Sequence, residues 1–245
     1  MGSRTVAQLM ALGKWGLLSL LFAPGYPVRA LDGAHFTESI RTEAITRLAS
    51  TSRRRLLARD AHFTSTLRGD TVVVSADSVT LSELADGHSR TLDTDGFVGG
   101  RYHLVLDSLG RANILERPFV PDDIVEVSDL GRAMDDFFPP LPPGIAVGAT
   151  DTDPDGREWR RLADSSTLRR YRYHLVTQRN AHEPTPDSVD VTVTGKSDET
   201  SSLAWSTLRG PMNWTRRIES DVTTRLRGQT VMGSVVQRIE VSRAK

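Results

Sequence analysis

The chain has 245 residues, 38% of them hydrophobic and 25% charged, with no net charge and no cysteine. Such a composition can bury a proper core, and it excludes both an intrinsically disordered chain and a membrane-embedded one. Only Lys14, Lys196 and Lys245 are lysines, so 31 − 3 = 28 basic residues are arginines, and these alternate with acids along the chain. No basic stripe results, and no nucleic-acid partner is expected.

Segment 1–30 carries Arg4, Lys14 and Arg29 but no acid, and it contains the apolar run Trp15 to Ala23. That run is too short to span a bilayer as a helix, and Pro24-Gly25-Tyr26-Pro27 breaks it. Val28-Arg29-Ala30 then offers small residues for cleavage after Ala30. The segment reads as a signal peptide, more compact if translation begins at Met10 rather than Met1; a buried N-terminal helix is the alternative. Residues 31–245 are expected to form one mainly-β domain, periplasmic or secreted. The domain has no later stretch long enough to span a membrane. Without cysteine it has no disulfide and no lipid anchor through an N-terminal cysteine.

Thr37 to Leu57 fits a helix or a first hairpin, with strands the preferred reading. From about Ala61 the hydrophobic pattern has period two, which predicts strands. Asp70 to Glu83 is rich in Val and Thr. Arg101 to Asp107 sets Tyr102, Leu104 and Leu106 against Arg101, His103 and Asp107, and Ala112 to Glu116 follows a Leu109-Gly110 turn. Asp122 to Leu141 breaks the pattern: Ile124, Val127, Leu130, Met134, Phe137, Phe138 and Leu141 recur at three-to-four spacing, which predicts an amphipathic helix over 122–138. Pro121 with two aspartates starts it and the prolines at 139, 140, 142 and 143 stop it, with the Phe pair expected to pack on the sheet. A Pro-rich crossover over 139–156 leads to a second meander.

In that second half Val189, Val191 and Val193 oppose Asp190, Thr192 and Thr194. Met212, Trp214, Ile218, Val222 and Leu226 share one parity, and Arg227-Gly228 suggests a hairpin into Val231 to Ser242. Strands this long must curl or carry a bulge. The predicted architecture is therefore mainly β (α+β): curled antiparallel sheet from two β-meanders, about 35–120 and 157–242, with one central amphipathic helix. Two strings recur, Ser-Thr-Leu-Arg-Gly at 65–69 and 206–210 and Arg-Tyr-His-Leu-Val at 101–105 and 172–176, in opposite order. Two similar meanders and mere recurrence of strand composition both explain them.

Asp129-Leu130-Gly131, Phe137-Phe138-Pro139-Pro140-Leu141-Pro142 and Val147-Gly148-Ala149-Thr150 lie between the halves. A meander, a central helix, a Pro-rich stretch and a Val-Gly-x-Thr step into a second meander resemble, in layout over most of the chain, uncharacterised exported β-proteins and lipoproteins of bacteria. Many of those relatives carry Trp after Val-Gly-x-Thr and an anchoring Cys, where this chain has Asp151 and no cysteine. The resemblance carries over no catalytic residues, and no cofactor or metal is expected from the residues themselves.

The chemistry-bearing residues nominate no catalytic centre either. The six histidines never fall at metal-ligand spacing. No Gly-x-Ser-x-Gly elbow precedes a helix, and Asp95 to Gly100 is no dinucleotide fingerprint. Carboxylates cluster at Asp135-Asp136, at Asp93 with Asp95, and at Asp151, Asp153 and Asp155. The last three belong to Asp-Thr-Asp-Pro-Asp-Gly, which is either the opening half of a calcium loop or a hairpin turn. Three functions stay open. A non-enzymatic binding or carrier module would offer an apolar concave sheet face to a lipid or other hydrophobic envelope ligand. A structural or protein-interaction domain would have that concavity plugged. A carboxylate-dependent hydrolase would bring two or three buried acids together in a cleft.

Overall fold

The computed structural model describes residues 25–125, 127–135, 137–165, 167–184, 190–226 and 229–244, with the side chains of Asp123, 182–184, Asp190 and Leu226 left aside. The apolar run of the leader and the Arg227-Gly228 loop lie outside these residues. The fold is one large antiparallel sheet of twelve strands. The first half supplies β1 (Ala34–Leu48), β2 (Thr51–Arg68), β3 (Thr71–Ala85), the short β4 (His88–Leu92), β5 (Arg101–Leu106) and β6 (Ala112–Glu116). The second supplies β7 (Thr150–Thr152), β8 (Glu158–Ser165), β9 (Leu168–Pro184), β10 (Asp190–Ser206), β11 (Gly210–Leu226) and β12 (Gln229–Arg243). Thr37 to Leu57 is thus two strands joined by a turn at 49–50, the preferred reading.

The order across the sheet is β6-β5-β3-β2-β1-β12-β11-β10-β9-β8-β7, with β4 beside β3. The sheet does not close, and its ends are the short strands β6 and β7, which limits exposed edge. Two pairs of long strands carry bulges of the kind such length calls for: register shifts occur at His62/Phe63 between β2 and β3 and at Ala204/Trp205 between β10 and β11.

This order dictates the path of the middle segment. The first meander ends at one edge and the second begins at the other, so Arg117 to Ala149, 149 − 116 = 33 residues, must cross the whole sheet. Ten strand spacings of about 4.8 Å make roughly 48 Å of sheet, well within the reach of such a segment. One face is therefore covered and the other is not. Phe36, Ile40, Ala61, Phe63, Leu81, Tyr102, Trp159, Tyr171, Leu203, Trp214 and Val241 are buried on the covered face.

The predicted central helix does not form. Among the described residues the segment holds one helical turn, Asp122–Val125, and a 3-10 turn, Leu130–Arg132. Carbonyls that a helix would use internally are taken from outside: Arg55 Nη2 donates to Val127 O at 3.2 Å, the Tyr102 hydroxyl to Leu130 O, and Arg117 Nη1 to Gly131 O. Gly131 in mid-segment further weakens helical propensity. The apolar residues that suggested the helix are nonetheless buried: Ile124, Val127, Leu130, Met134, Phe137 and Phe138. Phe137 meets Phe36, Phe63 and Trp214 edge-on at centroid distances of 5.5, 5.4 and 5.8 Å, so the Phe pair packs on the sheet as expected.

A second strap comes from the N-terminal side. Val28–Leu31 is a 3-10 turn, Leu31 is buried, and the buried Tyr26 ring stands edge-on to Trp205 at 5.5 Å. Gly110 (φ +84°) and Gly210 (φ +76°) leave room for it, since a Cβ on the first would run into the Tyr26 ring and on the second would lie 2.8 Å from Pro27. Cleavage after Ala30 would remove Tyr26 and Pro27 from this packing.

Candidate functional site

The covered face carries charges as well as aromatics. Glu38 is 2% exposed and accepts two hydrogen bonds from Arg59, at 2.9 and 3.1 Å. Burial raises the Glu38 pKa even against the neighbouring guanidinium. Glu199 accepts from Arg216 at 2.8 and 3.0 Å and from the Tyr173 hydroxyl. Burial works against the Glu199 charge, but Arg216 and Tyr173 outweigh it and hold the pKa below the ordinary value. Glu83 is held down in the same way by Arg90 and Arg55.

These buried acids do not make a hydrolytic pair. β1 and β10 are three strands apart, so Glu38 and Glu199 are separated by at least about 14 Å of sheet. Paired carboxylates in glycosidases stand about 5 to 9.5 Å apart, one of them free to donate a proton. Here each acid is already engaged by arginine.

The other carboxylate clusters are structural. Asp135 is bridged by Arg117 and Arg132, while Asp136 lies outside the described residues. Asp93 accepts the backbone N–H of Asp95. Asp153 accepts the backbone N–H groups of Asp155 and Arg157 and the Trp159 indole N–H at 3.0, 2.9 and 2.9 Å, and Arg157 also bridges Asp155 at 2.6 Å. Despite the desolvation of its carboxyl, these donors hold Asp153 below its ordinary pKa. Asp-Thr-Asp-Pro-Asp-Gly is therefore the turn joining β7 to β8, its central carboxylate filled by Arg157 and Trp159; Asp151 is exposed on β7. His103 pairs with Glu116 at 2.9 Å and His174 with Asp198 at 3.1 Å, both on the wet side of their strands. The Asp95 to Gly100 stretch forms turns that insert Phe97 into the core.

Beneath the crossover lies a cavity of about 330 Å³ between the sheet and residues 127–137. Its floor is ionic, with Glu38 and Arg59 beside Ile40, Leu57 and Ile239. It is not the purely apolar concavity that a lipid carrier was expected to show. Two larger cavities lie on the uncovered face. One, of about 380 Å³, has Leu56, Ala58, Leu84 and Val236 among its lining residues, with Arg41, Glu43 and Arg238 beside them. Strand pairing fixes this grouping: Leu56 stands opposite Leu84 and Glu43, Glu43 opposite Val236, and Ala58 opposite Arg41. The other, of about 550 Å³, includes Arg160, Arg172, His174, Thr200, Ser202, Thr215, Arg217 and Arg238. The two cavities meet at Arg238.

No family model matches the chain, and neither does any curated protein. Solved structures give weak matches. One is an outer membrane lipoprotein-sorting protein domain from Vibrio parahaemolyticus, 10% identical over 89% of this chain and 87% of that one, with a TM-score of 0.13. Another is MucB in complex with MucA(peri), 8% identical over 87% and 91%, with a TM-score of 0.15. Scores this low support no argument about fold or ligand.

Reasoning from sequence missed the uncovered face as a site. Arginines and acids are interspersed along β1, β11 and β12, but across these strands the register sets Arg41, Arg238 and Arg217 side by side. That juxtaposition depends on register, which the linear pattern does not encode.

Proposed function

We propose that the protein is a non-enzymatic binding module of the bacterial cell envelope, taking its ligand on the uncovered face of the sheet. The observation that carries this reading is the pair of adjoining cavities of about 550 and 380 Å³ on that face. They are of a size suited to small ligands and combine an apolar patch with convergent polar groups. The neutralised acids of the covered face support binding rather than hydrolysis. Export rests on the acid-free N-terminal segment and its apolar run. A second reading, a structural or protein-interaction domain, draws on the crossover, whose aromatic residues fill much of the covered face.

Fluorescence titration with the apolar dye N-phenyl-1-naphthylamine tests the binding reading. Saturable enhancement is expected, weakened at least tenfold by Leu84→Glu inside the smaller cavity and unchanged by Met232→Glu, another exposed apolar position of the sheet outside both cavities. No saturable signal, or the same loss in both variants, refutes it.

A further inference from the structure

Resting on the binding reading above, we infer that the ligand is an anionic amphiphile, its head group over the hydroxyl and arginine patch of the larger cavity and its aliphatic chain in the smaller one. Three arginines stand directly opposite one another across three strands: Arg217 on β11, Arg238 on β12 and Arg41 on β1. Like charges in directly opposed positions are destabilising unless something neutralises them. Arg41 is bridged to Asp60 at 2.9 Å and Arg217 to Glu219 at 2.5 Å. The central Arg238 is exposed and has no hydrogen-bond or ion-pair partner among the described residues; Glu240, two positions along the same strand, forms no ion pair with it. The unneutralised guanidinium is the one that both cavities share.

The larger cavity repeats this arrangement on its far side. Arg160 and Arg172 stand opposite each other on β8 and β9, both exposed and neither in an ion pair among the described residues. Between the two groups of arginines, β10 and β11 present the exposed hydroxyls of Thr200, Ser202 and Thr215. Ser202 is opposite both Arg172 and Thr215, and Thr200 is opposite Arg217. From β9 to β11 is two strand spacings, about 10 Å, a width across which guanidinium groups from both sides can reach one carboxylate or phosphate while hydroxyls donate from below. Arg160, Arg172 and Arg238, in no ion pair among the described residues, outnumber Glu158 and Glu240 around this cavity, while His174 is paired with Asp198 and Arg217 with Glu219, so the balance of charge is complementary to an anion. Beyond Arg238, Leu56, Ala58, Leu84 and Val236 offer carbon rather than charge. The same site therefore recognises a charged head and an aliphatic tail, and both a fatty acid and a monoalkyl phosphate carry that chemistry.

Isothermal titration with dodecanoate, dodecyl phosphate, dodecyl maltoside and inorganic phosphate, each detergent below its micelle concentration, tests this. The two dodecyl anions are expected to bind at least tenfold more tightly than the maltoside and than inorganic phosphate, and the tighter of the two identifies the head group. Arg238→Gln should remove that preference by weakening the two dodecyl anions at least tenfold more than the maltoside, whereas Arg225→Gln, an exposed arginine of β11 outside both cavities, should preserve it. Equal binding of anions and maltoside overturns the inference while leaving the binding module intact, as does a preference that survives in Arg238→Gln. Inorganic phosphate as tight as dodecyl phosphate removes the amphiphile. Failure of all three dodecyl compounds overturns the binding reading itself.

Discussion

Replacing Arg59 by alanine should be among the most damaging single changes in the molecule, and its cost should depend on pH. Arg59 and Glu38 expose 9% and 2% of their side chains and share two hydrogen bonds of 2.9 and 3.1 Å. Removing one partner of such a pair strands a buried carboxylate, which costs about 3 to 5 kcal/mol. Replacing both by apolar residues of similar volume, Glu38→Leu with Arg59→Met, leaves no stranded charge and should cost clearly less than Arg59→Ala alone. The pH dependence follows from the direction of the Glu38 shift. Burial already raises its pKa, and losing Arg59 takes away the main opposing influence. An acid whose folded-state pKa lies above its unfolded value destabilises the fold once pH rises through the window between the two, and the penalty vanishes below the unfolded value of about 4.3. Urea denaturation of wild type and variants at pH 5 and pH 8 measures this. Arg59→Ala should lose more stability at pH 8 than at pH 5. A loss below about 1 kcal/mol, a loss equal at the two pH values, or a double variant worse than Arg59→Ala would refute the account.

Trp214 is 1% exposed and packs edge-on to Phe36 and Phe137, so Trp214→Ala should cost about 3 to 5 kcal/mol in the same assay, and Thr215→Ala on the opposite face under about 1. Equal losses at the two neighbours would contradict the assignment of faces. N-terminal sequencing of protein recovered from outside the cytoplasm should find a processed chain, beginning after Ala30 as Val28-Arg29-Ala30 directs, or upstream of Tyr26 if the packing of that ring governs the choice. A chain still beginning at Met1 or Met10 would refute export.

Most of the sheet was legible in the sequence because a strand with one wet face writes its period into the residues. Tyr102, Leu104 and Leu106 are buried as their alternation predicted, and the parity of Met212 and Trp214 marks the covered face of β11. The crossover was misread because burial on a sheet and burial along a helix leave the same three-to-four spacing. Side chains outside the predicted helix, Arg55, Tyr102 and Arg117, claim its carbonyls, and no linear pattern announces them. The buried Glu38–Arg59 and Glu199–Arg216 pairs were equally hidden, since an acid at a strand's inward parity reads as a break in the pattern until its cross-strand neighbour is known. The arginine row on the uncovered face was invisible for the same reason: neighbours across a sheet can be two hundred residues apart in the chain, as Arg41 and Arg238 nearly are (238 − 41 = 197).

The pairing of β1 with β12 also sets the order of assembly. These are the first and last strands among the described residues, and they form the central seam of the sheet from Phe36 opposite Arg243 to Leu48 opposite Val231. Contacts of such high sequence separation are slow to form, because the loop between them must be closed before the pairing rewards it. The two meanders can each fold locally, but until Gln229–Arg243 has been made, β1 stands as a long, unpaired edge. A second molecule at the same stage presents the same edge, so the interval before the seam closes is when exchange of strands between copies is easiest. A chain lacking Gln229–Arg243 is not a slightly smaller version of this sheet but two unfinished sheets sharing one covalent strap.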